Sequence, residues 1–340
     1  MDICNSREVA NASSALTSVQ TESWGTTTSP VGVDGTSSLR EWGGGGVVTS
    51  FEDYTELPIE HSEKILSTPW YNSSRTTVIF CHGFTGHPNG PAVSAVTKAY
   101  LEQGESNVVL LNWQHMASIA LPSFASSYLN WAAPNARQIG VRLADVLVSL
   151  SASGLNLNKT HLVGHSLGAQ IFGIAGNNLQ QKGMPLARIT GLDPASVGFE
   201  GKPAGSKLNP YSARRVFVIH SDPSKYGYKS ATGTVDFWPN FTLRPVIQPG
   251  CTSGPTQVFS ADDLCNHNRS WQLLVDAIKY PGTIIGSYAK NYRTWKRYSQ
   301  RERHAVTLAL DPRDDALLQP GNYFFVTKAE APYGLGRDGL

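Results

Sequence analysis

No uninterrupted apolar run in this 340-residue chain approaches the roughly 20 residues that a membrane-spanning helix needs, so no transmembrane segment is expected. Charge of one sign is lacking as well. Lys and Arg number 28 against 26 Asp and Glu, a formal net charge of +2, and no basic cluster suggests a nucleic-acid partner. Cysteine is scarce, with four residues and no C-x-x-C spacing, and neither a metal nor a cofactor is expected. Cys4 lies in the N-terminal tail and Cys81 sits inside the apolar run Val78-Ile79-Phe80, where it reads as a buried free thiol. Cys251 and Cys265 fall in a stretch rich in Gly, Pro, Ser and Thr, where a disulfide would close a small loop.

Residues 1–50 lack apolar periodicity and are dominated by Ser, Thr, Gly and Ala. Such a segment buries too little apolar surface to offset its ordering entropy, and it reads as low-complexity and disordered. The first thirty residues also lack the apolar core of a signal peptide. Sequons at Asn11, Asn72, Asn158, Asn240 and Asn268 lean the other way, toward a secreted glycoprotein. Either the start is incomplete or non-native, or the protein stays inside the cell; secretion is the expectation carried forward.

A folded domain is expected over 51–340. Arg75 to Phe80 reads as a central strand that ends in His82-Gly83-Phe84-Thr85-Gly86. Pro91 to Gln103 reads as a helix, with proline at its start and Gly104 at its stop. Asn107 to Asn112 is a second apolar strand. Ile139, Leu143, Val146, Leu147 and Leu150 then share one helical face before Gly154. Thr160 to Val163, Arg188 to Leu192 and Val216 to His220 read as further strands, Ser270 to Ile278 as a helix, and His304 to Leu310 and Tyr323 to Thr327 as late strands. Strands apolar throughout, alternating with amphipathic helices, imply a mostly parallel sheet covered on both faces, the α/β class. The C-terminal ends of its strands would form one edge, where open α/β sheets bind ligands.

On that edge falls Gly164-His165-Ser166-Leu167-Gly168, a G-x-S-x-G between a strand and the small-residue helix Ala169 to Gln181. The tight turn would lift the Ser166 hydroxyl clear of the backbone at a helix N-terminus. Serine is a weak nucleophile and needs a base, itself oriented by an acid. In the α/β-hydrolase order of Ser, acid, His, the candidates are Ser166, Asp193 at the end of the next strand, and His267 in a loop after Cys265. Backbone N–H groups of Leu167 and Phe84 are the candidate oxyanion donors. His82, His161, His165 and His220 are expected to be structural. Tyr280, Tyr288, Tyr292, Trp295 and Tyr298 are interleaved with Lys290, Arg293, Lys296 and Arg297, and are either packing residues or a lipid-surface contact.

Taken together, Ile79 to Gly86, Gly164 to Gln170, Gly191-Leu192-Asp193-Pro194-Ala195, Val218-Ile219-His220, Val235 to Asn240, Gln248 to Cys251 and Cys265 to Ser270 resemble the pancreatic-lipase family, and within it the single-domain insect lipases and phospholipases A1. The resemblance implies an α/β-hydrolase fold. It implies a catalytic triad of Ser166, Asp193 and His267, and an oxyanion hole at Phe84 and Leu167. It also implies a lid over 252–264, bounded by a Cys251–Cys265 disulfide and carrying Val258 and Phe259 as apolar contacts. The C-terminal β-sandwich of the larger members is expected to be absent, since few residues follow His267. Where the family's structural calcium site would lie, this chain has Lys207 to Ser212 without acidic residues, and no calcium is expected. A short lid and a short loop from His220 to Val235 resemble the phospholipase branch. The expected activity is therefore hydrolysis of a lipid ester at an interface, a phospholipid first and a triacylglycerol or galactolipid second. A non-catalytic, yolk-protein-like lipid carrier is the alternative from another class. Oligomeric state is left open.

Overall fold

The computed structural model describes residues 38–42, 54–223, 225–307 and 318–340. An 11-stranded sheet organises them. Its strands are β1 (Ser38–Trp42), β2 (Tyr54–Pro58), β3 (Thr76–Cys81), β4 (Ser106–Asn112), β5 (Thr160–His165), β6 (Arg188–Leu192), β7 (Arg215–Ile219), β8 (Val235–Pro239), β9 (Ile285–Tyr288), β10 (Ala305–Thr307) and β11 (Gly321–Phe325). Their spatial order is β10-β9-β11-β8-β7-β6-β5-β3-β4-β1-β2. From β4 across to β11 every neighbouring pair is parallel, and the strands outside that block pair antiparallel. This is the expected α/β-hydrolase class, a mostly parallel sheet with helices on both faces.

Alternation along the buried strands splits the core in two. Ile79, Cys81, Val109, Leu111, Leu162 and Ile189 face α2 (Ala133–Ala152) and α3 (Leu167–Gln181). Val78, Phe80, Val108, Leu110 and Val163 face α1 (Pro91–Gln103) and α4 (Cys265–Lys279). Along α2, Val146 of the predicted face is half-buried, and Ile139, Leu143, Leu147 and Leu150 are buried. Each such side chain contributes roughly 1.5–3 kcal/mol by leaving water. Helix α1 starts with Pro91 at its first position and stops at Gly104, whose φ of +73° lets its N–H turn back to Tyr100 and Leu101. No helix among the described residues is long and apolar enough to cross a membrane.

Two expectations need correction. Ser38–Trp42, inside the stretch expected to be unstructured, is a strand between β4 and β2. Its order comes from two backbone ladders, a tertiary effect that composition does not register; residues 1–37 and 43–53 lie outside the described residues. Second, α4 begins at Cys265 rather than Ser270, so His267 sits in the first turn of a helix and not in a loop. Cys, Asn and His are poor helix formers. Here the turn is held from outside, by the Cys251–Cys265 disulfide and by the Asn266 side chain, which accepts from the Gln248 N–H at 2.7 Å. Of the late strand expected over His304 to Leu310, Ala305–Thr307 is present and 308–310 lie outside the described residues.

Candidate active site

Register brings three strand ends together. Cys81 pairs with Gly164 and Gly164 with Gly191, so the His82 loop, the Ser166 turn and Asp193 leave the sheet side by side. Ser166 has φ +56° and ψ −117°, a strained conformation for a residue with a Cβ. It is held by its N–H to Leu192 O at 3.0 Å and by Ala169 and Ala195 N–H groups on its own carbonyl, each at 3.2 Å. Only glycine fits at 168, where a Cβ would sit inside the Cys81 carbonyl. Gly83 passes so close that a Cβ there would lie 2.7 Å from Ser166 Cβ.

Asp193 also has positive φ, +44°, and is fully buried. Its Oδ1 accepts from the backbone N–H groups of Ser221 at 2.8 Å and Asp222 at 3.0 Å, and its Oδ2 faces His267 Nδ1 at 2.6 Å. That contact makes Nδ1 the protonated nitrogen of His267 and leaves Nε2 as a lone-pair acceptor. Burial pulls His267 down to about 3, which keeps the imidazole neutral. Burial also pushes Asp193 up to about 7, against the two backbone donors and His220. Within this pair, the direction that follows from the contacts is a neutral imidazole donating to the carboxylate. Ser166 and His267 line one cavity of about 350 Å³, whose apolar wall includes Phe84, Phe124, Tyr128 and Val258.

The N–H groups of Phe84 and Leu167 donate to no acceptor among the described residues. Leu167 opens α3, where N–H groups lack intrahelical partners, and the helix dipole adds positive potential. Phe84 lies on a rigid loop: Trp113 donates to His82 O at 2.9 Å and Thr85 N–H to Ala117 O at 2.7 Å. Two of the other buried histidines are hydrogen-bonded away from Ser166. His82 Nδ1 donates to Gly83 O, and His161 meets Thr190 Oγ1 at 2.8 Å. His161 and His165 stand four apart on a strand, roughly 13 Å at strand spacing, too far to share a metal. His165 packs 4.6 Å, centroid to centroid, from His267.

Between Cys251 and Cys265 the chain carries Val258 and Phe259. Val258 is 60% exposed at the cavity mouth, whereas Phe259, at φ +63°, folds inward and stacks on Phe124 at 5.1 Å and edges onto Phe84 at 5.5 Å. The fixture is Asp263, which the sequence reading missed. Its carboxylate accepts from Lys225, Tyr226 and Thr256, and from the Phe259 N–H at 3.0 Å. Burial raises this acid, but the hydrogen bonds from Lys225, Thr256 and Tyr226 more than offset it and hold it well below the carboxylate range. Tyr226 in turn packs against His267, 5.4 Å between centroids. Lys225 and Tyr226 come from 38 and 37 residues away, so no local sequence pattern marks the hub.

A second buried pair also escaped the sequence reading. His220 Nε2 meets Asp236 Oδ1 at 2.7 Å, its ring stacks on Trp238 at 3.8 Å, and Asp236 further accepts from Thr232 and Gly233 N–H groups. His220 directly precedes the Ser221 and Asp222 donors of Asp193. An aspartate inside the apolar strand Val235-Asp236-Phe237-Trp238 was the available signal, since a buried carboxylate requires partners. At Lys207 to Ser212 the residues do not fit a calcium ion. The carbonyls of Ala204 and Lys207 already accept from the Asn177 and Asn209 amides at 2.9–3.2 Å, and no carboxylate joins them.

Comparison with known proteins agrees with this architecture. Residues 51–333 match the family model described as Lipase. Lipase member H-B of Xenopus laevis is 34% identical over 231 residues, 67% of this chain and 46% of that protein. Lipase member H of Mus musculus is 32% identical over 228 residues, 66% of this chain and 47% of that protein. Phospholipase A1 of Polybia paulista is 31% identical over 266 residues, 76% of this chain and 79% of that protein. The chain thus spans about half the length of the lipase H relatives and most of the phospholipase. With the family match covering most of the chain, and the sheet, Ser166 turn and disulfide-bounded loop in the order the resemblance implied, the chain belongs to the Lipase family, within the pancreatic-lipase group.

Proposed function

We propose that the protein is a secreted serine hydrolase of lipid esters, with the sn-1 ester of a phospholipid as its first substrate class. The observation that carries the reading is the meeting of Ser166, on a strained strand-to-helix turn, with His267, whose Nδ1 is fixed by Asp193 at 2.6 Å, in one apolar cavity. Ser166 Oγ attacks the acyl carbonyl carbon while His267 Nε2 takes its proton. The N–H groups of Phe84 and Leu167 hold the resulting oxyanion. The tetrahedral intermediate collapses as His267 returns the proton to the leaving alcohol, giving an acyl-serine. Water, deprotonated by His267, then releases the fatty acid and restores the serine.

The phospholipase reading is supported by the Polybia paulista relative and by the short loop between the cysteines, which leaves the cavity mouth beside polar residues such as Asn268. A disulfide fits an oxidising compartment, which supports secretion. The test is fatty-acid release by native protein and Ser166→Ala, with sn-1-labelled phosphatidylcholine and emulsified triacylglycerol offered in parallel. Turnover of phosphatidylcholine that falls by roughly 10⁴–10⁶-fold in the variant supports the reading. Faster turnover of triacylglycerol moves the substrate class. No turnover of either by folded native protein leaves the lipid-carrier alternative.

A further inference from the structure

A second pocket, of about 420 Å³, shares no lining residue with the catalytic cavity. Its wall is aromatic: Trp238 and Phe241 lie 5.2 Å apart, Phe241 and Tyr292 5.2 Å, and Tyr292 and Phe324 5.9 Å. Its rim is cationic. Lys229 reaches it from one segment and Lys290 and Arg293 from another, and no acidic residue lines it. All three are exposed, and none forms an ion pair with a described residue.

The adjoining helix α5 (Tyr292–Arg297) extends the charge. Arg293, Lys296 and Arg297 are spaced i, i+3 and i+4 and so share its outer face, while Trp295 on the inner side is 4% exposed and packs on Phe324. The same face carries no acid, and the next acid along the chain, Glu302, is engaged by Ser299. Beside the cations stand Leu243 on the pocket rim, 66% exposed, and the exposed Tyr298, which directly follows Arg297 at the end of α5. Cations interleaved with exposed apolar and tyrosine side chains suit the headgroup boundary of a bilayer better than open water.

We propose that this face docks the protein on an anionic lipid surface, with the aromatic pocket and its rim of Lys229, Lys290 and Arg293 receiving a phosphate-bearing headgroup. This docking is separate from ester hydrolysis and does not depend on it. The cations supply the attraction, Leu243 and Tyr298 the shallow insertion, and the aromatic wall a dry surface for the glycerol backbone. The sequence had left the tyrosine and tryptophan stretch divided between packing and lipid contact; the structure divides it residue by residue, with Trp295 in the packing and the cations outside.

Vesicles of ether-linked phospholipids test the docking, because they hold no ester to cleave. Full-length native protein and the double variant Lys290→Ala/Arg293→Ala are sedimented with vesicles of ether-linked phosphatidylcholine, with and without ether-linked phosphatidylglycerol, at low salt. Each basic side chain near an anionic leaflet is worth roughly fivefold in partitioning, so the double variant should bind anionic vesicles about 25-fold more weakly than native protein. Its hydrolysis of a water-soluble ester should match native protein. Equal native binding to both vesicle types would overturn the proposal. So would a folded double variant that binds anionic vesicles as well as native protein, or saturation of the pocket by free glycerol phosphate in a protein that ignores the vesicles.

Discussion

Replacing Asp193 by asparagine tests the tautomer argument with almost no change in shape. Ser221 and Asp222 point two backbone N–H groups at Asp193 Oδ1, so in the Asp193→Asn variant the amide oxygen is drawn to that side. The amide NH₂ then faces His267 Nδ1, where the carboxylate oxygen stood at 2.6 Å. Two donors cannot share that contact, so His267 must present Nδ1 as acceptor and carry its proton on Nε2, facing the wrong way to deprotonate Ser166. A comparable wrong-tautomer substitution in a serine protease triad costs roughly 10⁴-fold in kcat, about 5 kcal/mol of transition-state stabilisation, and a similar loss is expected here. Folding should not suffer in parallel. Burial opposes the charge on Asp193 in the folded state, and the amide carries none, so the substitution removes a desolvated charge while keeping the two backbone donors paired. Steady-state hydrolysis and thermal melts at pH 8 read both quantities. An Asp193→Asn variant within tenfold of native kcat, or one that is inactive because its melting temperature has dropped, would refute the reasoning.

Burial holds His267 below its usual range, and the base works only when neutral, so kcat/KM should stay flat as pH falls through 6.5 and break at lower pH; a break at 6.5 or above would give control to Asp193. Asp263→Ala removes the hub that joins Thr256 and Phe259 to Lys225 and Tyr226, and hydrogen exchange over 252–264 should rise by roughly 10- to 100-fold, matching a loss of about 1.5–3 kcal/mol. Replacing Cys251 and Cys265 by serine opens a loop of sequence separation 14 and should lower unfolding free energy by about 3 kcal/mol in denaturant titration. His220→Ala should lower kcat more than it raises KM, because it loosens the turn that supplies both donors to Asp193, and His220→Gln should recover part of the loss.

Local chemistry made the centre of this fold legible. The run Arg188 to Leu192 is a strand with the bounds its apolar pattern gives, and Pro91 and Gly104 mark both ends of α1 because proline and glycine act through their own backbone geometry. The Ser166 turn was legible for the same reason: two glycines around Ser166 record a close approach of helix and strand. What escaped depends on contacts that no sequence spacing marks, several of them far apart along the chain. His267 stands among the weak helix formers Cys265 and Asn266, yet a disulfide and Gln248 hold that turn helical. Asp263 gathers Lys225, Tyr226 and Thr256, and Asp236 gathers His220, Thr232 and Gly233, and neither set has a spacing that marks it. Ser38–Trp42 owes its strand to ladders with β4 and β2 that no composition count contains.

The central claim is that Ser166 carries the acyl group. An alkyl fluorophosphonate reacts with an activated serine and stays attached, so mass spectrometry of the digested protein reads the site directly. The account predicts one label per chain, on Ser166 within Gly164 to Gly168, appearing at the rate at which hydrolysis is lost and absent from the Ser166→Ala variant. A label on another residue that stops hydrolysis, or full labelling of Ser166 with hydrolysis intact, would contradict it.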